Sequence, residues 1–111
     1  MLLTPTVQER IYEMANFALF VELKAKPGKE SEVETFLNGE AKLVRGEAGT
    51  LTWHAAKDEG EHGVYVVFDT FNDEVAREAH LNGEAGQELA ANAERLFSEV
   101  KVHRLQVVAE K

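Results

Sequence analysis

The chain has 111 residues, 44% of them apolar and 29% charged, enough for one domain with a buried core and too little for two separate catalytic modules. Twelve basic against twenty acidic residues leave a formal charge of −8, which repels phosphate backbones and anionic lipid, so neither nucleic acid nor a membrane is expected as a partner. The absence of cysteine excludes disulfides, zinc-thiolate sites, iron-sulfur clusters and thiol nucleophiles, and with no basic, apolar leader in the first residues and no membrane-length apolar run the expected location is the cytoplasm.

Residues 1–14 read as a helical extension to a domain spanning 15–111. Pro5, the capping box from Thr6 to Glu9, and Val7, Ile11 and Met14 at helical spacing carry that reading. Phe17 to Lys24 is rich in aromatic and aliphatic residues and ends at Pro27-Gly28, which predicts a strand. Val33, Phe36, Leu37, Ala41 and Val44 then recur every three or four residues, predicting a helix over 31–45 whose other side carries Glu32, Glu34, Glu40 and Lys42 to solvent. Strands are predicted over Thr50 to Lys57 and Val64 to Phe71, joined by a hairpin whose turn glycine is Gly60. Asn72 or Asp73 caps a helix through Leu81, Asn82-Gly83 breaks it, and a second helix carries Leu89, Ala93, Leu96 and Phe97. Val100 to Val108 is the last strand.

Strand, helix, strand, strand, broken helix, strand is the order of an α+β, ferredoxin-like split βαβ fold, with helices on one face of a four-stranded antiparallel sheet ordered 4-1-3-2. The runs Phe17 to Val21 and Val64 to Phe68 are apolar at both parities, so the second face also needs cover. In so short a chain a second copy is the cheapest cover, and a homodimer closing into a dimeric α+β barrel is expected. Four side chains at about 1.5 to 3 kcal/mol each would give on the order of 6 to 12 kcal/mol before association entropy is subtracted. The two edge strands each carry a histidine, His54 and His103, which could approach across that interface.

The segment Asp69-Thr70-Phe71, followed by Ala76 and then His80-Leu81, resembles the stretch of antibiotic biosynthesis monooxygenase domains in which a strand ends in an acidic residue and an aromatic and a short helix carries alanine and, four residues on, His-Leu. The resemblance runs from about Asn16 to Ala109. It implies the same dimeric barrel and, by analogy with characterised members, cofactor-free oxidation of quinols or polycyclic phenols by O₂. The sequence departs from the pattern at Ala85, where many members have a second histidine, and at Phe71, where a tryptophan often stands. The related haem-degrading chemistry, which relies on an asparagine, a tryptophan and a histidine, would find the first of these in Asn16.

Singlet organic molecules react with triplet O₂ only when made electron-rich, so an oxygenase without a cofactor needs a base inside an apolar cage. The leading base is His80, since an imidazole titrates near neutrality. Trp53, Tyr65, Phe68, Phe71 and Asn16 are the candidate substrate contacts, although strand parity sends Tyr65 and Phe68 to opposite faces, as it does Trp53 and His54. Four histidines without metal-ligand spacing, and no glycine-rich phosphate loop, give no metal site and no cofactor. The expected function is therefore a cofactor-independent monooxygenase acting on a small aromatic or quinol-like molecule. The alternative is a small-molecule-binding or stress-response protein of the same fold without turnover.

Overall fold

A computed structural model describes residues 15–111; the helix expected over 1–14 lies outside the described residues. Strand β1 (Phe17–Ala25) leads through a turn, in which Gly28 takes φ 80°, into helix α1 (Glu30–Val44). Strands β2 (Thr50–Lys57) and β3 (Val64–Phe71), helices α2 (Glu74–Leu81) and α3 (Glu84–Leu96), and strand β4 (Phe97–Gln106) complete the order. All pairings are antiparallel and the strand order is β2-β3-β1-β4, the ferredoxin-like arrangement expected from the alternation of periods.

Directly paired residues share a face, so the register sorts every side chain of the sheet. Leu19, Val21 and Leu23 stand opposite Asp69, Val67 and Tyr65, and face the helices together with Trp53 and Val102. Val33 and Leu37 of α1 and Leu96 of α3 close the core against them. The other face carries Phe20 opposite Phe68 and His103, and Phe68 opposite His54. No described element lies over it, and Phe68 is 40% exposed there, with Leu105 at 38%. The apolar second face expected from the strand composition is thus present.

Three local expectations change. The hairpin loop is ordered by Asp58, whose Oδ1 accepts from the amides of Gly60 and Glu61, and the residue with positive φ is Gly63 at 81°, not Gly60. The last strand starts at Phe97 rather than Val100. Phe97 is the eighth residue after Leu89 and fits the helical stripe as well as it fits a strand, but its backbone is extended and it pairs with Ala25, burying its ring against Phe36. At the other end pairing stops at Gln106, and Val108 is 98% exposed. Glu40, read as part of the solvated side of α1, is 7% exposed and lies on the buried stripe with Val33, Leu37 and Val44.

The connection between α2 and α3 positions the site. Asp73 caps α2 by accepting from the Ala76 amide at 2.8 Å, and Asn82-Gly83 separates the helices where the sequence placed the break. Gly86 packs so closely on the end of α2 that an added Cβ would lie 2.1 Å from the Leu81 carbonyl oxygen. Any side chain there would push α3 away from His80.

Candidate active site

His80 sits in the last turn of α2, 9% exposed, with both ring nitrogens on carboxylates. Nδ1 lies 2.5 Å from Glu47 Oε1 and Nε2 lies 2.9 Å from Asp69 Oδ2. Glu47 is in the loop after α1, and its Oε1 also accepts from Thr50 Oγ1 at 2.7 Å. Asp69 is on the helix-facing side of β3 and is 1% exposed, while the fully buried Phe71 places its ring 5.3 Å from the imidazole. Two carboxylate acceptors require both nitrogens to donate, so the geometry selects the imidazolium. Burial alone would lower the histidine pKa, but the hydrogen bonds that the ring donates to Asp69 and Glu47 outweigh it and the net shift is upward.

Between the helices and the sheet lies a cavity of about 60 Å³, bounded by His80, Asp69, Trp53, Phe36, Leu89 and Glu40 among others. One end is polar and the rest apolar. Asp69 Oδ1 is buried without a hydrogen-bond partner among the described residues, which leaves an acceptor in need of a donor. Glu40 likewise makes no hydrogen bond or ion pair among them, and burial, reinforced by the negative charge of Glu88 and opposed by His80, pushes its carboxyl up to about 7. Trp53, half-buried, also borders a larger groove of about 360 Å³ between α1 and β2.

The structure brings together His80, Trp53 and Phe71 from the residues predicted as a site. It separates the other three. Phe68 is on the opposite face of the sheet. Tyr65 faces the helices at the far end of β3, where its hydroxyl donates to Glu34 Oε2 at 2.7 Å, and burial followed by that carboxylate pushes its pKa up to about 12. Asn16 lies at the beginning of the sheet, where Nδ2 donates to the Asn72 carbonyl at 3.0 Å and ties β1 to the β3–α2 connection.

Sequence reasoning missed Glu47 and Glu40. Glu40 was within reach, because it stands seven residues after Val33 and four before Val44 on one helical stripe. Glu47 had no local signal, since it meets His80 only through the folding of a loop. Arg77 is also buried, at 8% exposed; Nη1 donates to the Leu105 carbonyl at 3.1 Å and the guanidinium lies 5.1 Å from the Phe17 ring centre, clasping α2 to the sheet.

The profile of a family described as antibiotic biosynthesis monooxygenase matches residues 16–92, a span that includes Glu40, Trp53, Asp69, Phe71 and His80. The chain belongs to the antibiotic biosynthesis monooxygenase family. Among solved structures it is similar to NE2512, a protein of unknown function from Nitrosomonas europaea, with 40% identity over 88% of this chain and 94% of that one and a TM-score of 0.83. It is also similar to PA3566 from Pseudomonas aeruginosa, at 25% identity over 86% and 97% of the two chains and a TM-score of 0.77. Rv0793 from Mycobacterium tuberculosis, at 18% identity over 86% of this chain and 98% of that one, shares the fold with a TM-score of 0.78. A comparison with functionally curated proteins finds no match. Membership accounts for the four-stranded sheet and its helices. Among the described residues no helix is long and apolar enough to cross a membrane.

The upward shifts of His80 and Glu40 have one consequence for stability. Between its ordinary and its folded pKa, each group keeps in the folded chain a proton that the unfolded chain has released, so stability falls as pH rises. For Glu40 the window runs from 4.5 to about 7. For His80 the stabilisation is complete below 6.5 and is lost as pH rises through the raised value. Thermal unfolding is expected to give a lower Tm at about pH 8 than at about pH 5.5, with the difference reduced in a Glu40→Gln variant. Equal Tm values in the wild type at the two pH values would contradict this assignment.

Proposed function

We propose that the protein is a cofactor-independent monooxygenase that oxidises a small aromatic, quinol-like substrate with O₂ in the cavity between helices and sheet, working as a homodimer. The observation that carries this reading is the polar end of an otherwise apolar cavity, where Asp69 Oδ1 lacks a donor while its partner oxygen is fixed by His80. A substrate hydroxyl supplies that donor. Family membership supports the reaction class. His80, with both nitrogens paired, acts through Asp69: it holds the carboxylate in place and puts a positive charge beside the electron-rich substrate. Trp53 and Leu89 form apolar walls, and Phe71 supports His80 from below.

A cavity of about 60 Å³ is far smaller than the roughly 300 to 1,000 Å³ of typical ligand sites, so the substrate enters as Trp53 turns and joins the cavity to the outer groove. In the reaction the quinol supplies four electrons, one oxygen atom enters the ring and the other leaves as water. Naphthohydroquinone would therefore give hydroxynaphthoquinone and water, whereas uncatalysed autoxidation gives naphthoquinone and hydrogen peroxide.

The test is O₂ uptake with naphthohydroquinone and a panel of naphthols, with product analysis under isotopically heavy O₂. Label in the hydroxyquinone, formed at least 100-fold more slowly by Asp69→Asn, is the expected result. Product without label, or the same rate as protein-free buffer across the panel, would overturn it. The small cavity specifically favours a second reading, a binding protein without turnover; it would show as a rise in Tm with a naphthol and no consumption of O₂.

A further inference from the structure

The mechanism above leaves one buried ionisable group of the cavity unused. Glu40 interrupts the buried stripe of α1, is only 7% exposed, and borders the same space as His80 and Asp69. A core position on a helix normally carries an apolar residue, and a carboxyl placed there without a hydrogen-bond partner costs stability unless something else uses it. The charged groups that face it are His80 from α2, Glu88 from α3 and Glu47 from the loop after α1, with Asp69 of β3 bordering the same cavity.

We propose that Glu40 is a catalytic residue of this cavity, the base that takes the hydroxyl proton of the bound quinol. The inference rests on the monooxygenase reading. The substrate O–H bond breaks, its proton forms a bond to a Glu40 carboxylate oxygen, and the electron pair stays on the substrate oxygen as a phenolate. One proton moves and no electrons are transferred in this step; O₂ accepts electrons afterwards.

The cavity divides two roles between differently placed carboxyls. Asp69 is paired with the imidazolium through Oδ2 and keeps Oδ1 as an open acceptor, suited to hold a hydroxyl in place. Glu40 has no cationic hydrogen-bond partner, and burial raises its proton affinity into the neutral range, where a general base is effective. His80, with both nitrogens donating, has no lone pair to offer. Two acceptors in one cavity also favour a substrate with two hydroxyls: one donates to Asp69 Oδ1 and the other gives its proton to Glu40.

The test compares wild type, Glu40→Gln and Glu40→Asp with naphthohydroquinone and with its mono-methyl ether. Glu40→Gln is expected to lower kcat by about 100-fold or more with KM within a few-fold, and to abolish the rise in wild-type rate with pH through about 7, while Glu40→Asp restores part of the rate. The mono-methyl ether should be a poorer substrate for the wild type. A Glu40→Gln enzyme with wild-type kcat and pH profile would overturn the role of Glu40 and leave the monooxygenase reading intact.

A second arm needs no turnover. Infrared difference spectra of wild type minus Glu40→Gln, recorded without O₂, should show a protonated carboxyl whose band shifts when 2-naphthol is added. That shift in a protein that consumes no O₂ would support the contact between Glu40 and a hydroxyl while defeating the oxygenase assignment. No shift on saturation with 2-naphthol would overturn the contact itself.

Discussion

Replacement of His80 by alanine is expected to destabilise the protein by about 3 to 5 kcal/mol at neutral pH, the usual result of removing one partner from a buried ion pair. Asp69 and Glu47 would be left facing a void without the imidazolium, and Asp69 is 1% exposed, so water cannot easily replace the lost donor. The ring also packs against Phe71, and its removal takes away an apolar contact at the same place. Urea unfolding of His80→Ala, Asp69→Asn and the double variant measures the coupling. The double variant should be less destabilised than the sum of the single ones, because a neutral amide no longer needs the positive charge. A single-variant loss below about 1 kcal/mol would mean that the pair behaves as a surface ion pair, and the electrostatic role proposed for His80 would fall with it.

Phe68→Asp is expected to convert the proposed homodimer to a monomer at micromolar concentration. Phe68 lies at the exposed apolar face opposite Phe20 and His54, with Leu105 on the same side of the sheet. Phe20, Val66, Phe68 and Leu105 each keep part of their apolar surface exposed there, whose burial at about 25 cal/mol per Å² drives association, and the substitution both removes a phenyl ring and places a carboxylate in the seam of each copy. Sedimentation of Phe68→Asp beside Val75→Asp provides the comparison, since Val75 is 79% exposed on α2, away from that face. The first should sediment as a monomer with an unchanged circular dichroism spectrum and the second as the wild type. A Phe68→Asp dimer as tight as the wild type would show that this face is not the interface.

Much of the candidate site was legible from one segment of sequence. Asp69, Phe71 and His80 come within 12 positions of each other, and a strand that turns directly into a capped short helix folds them onto one another, so their meeting needed no distant information. Parity did equal service for the sheet: it assigned Tyr65 and Phe68 to opposite faces, and the register agrees. Parity says nothing about position along the strand, however, and for that reason Tyr65 was grouped with His80 although its hydroxyl belongs to Glu34 at the other end.

The errors have physical causes of the same kind. An apolar stripe identifies a buried helix face from its oily members, and a glutamate on that stripe is read as surface because a carboxyl is expected to seek water. Phe97 satisfies helical and extended patterns alike, since it is buried in either, and its pairing with Ala25 decided between them.

Order of elements, antiparallel pairing, the two apolar faces of the sheet and the proximity of His80 to Asp69 were set by the chain's own local chemistry: side-chain periodicity, capping and glycine breaks act over a few residues and can be read over the same distance. Only tertiary structure brought Glu47 and Glu40 to the cavity, left Asp69 Oδ1 without a donor, and made His80 a doubly paired cation instead of a free base. Protonation depends on which charges converge from separate elements and how far water is excluded, and neither quantity exists until the chain has closed around the site.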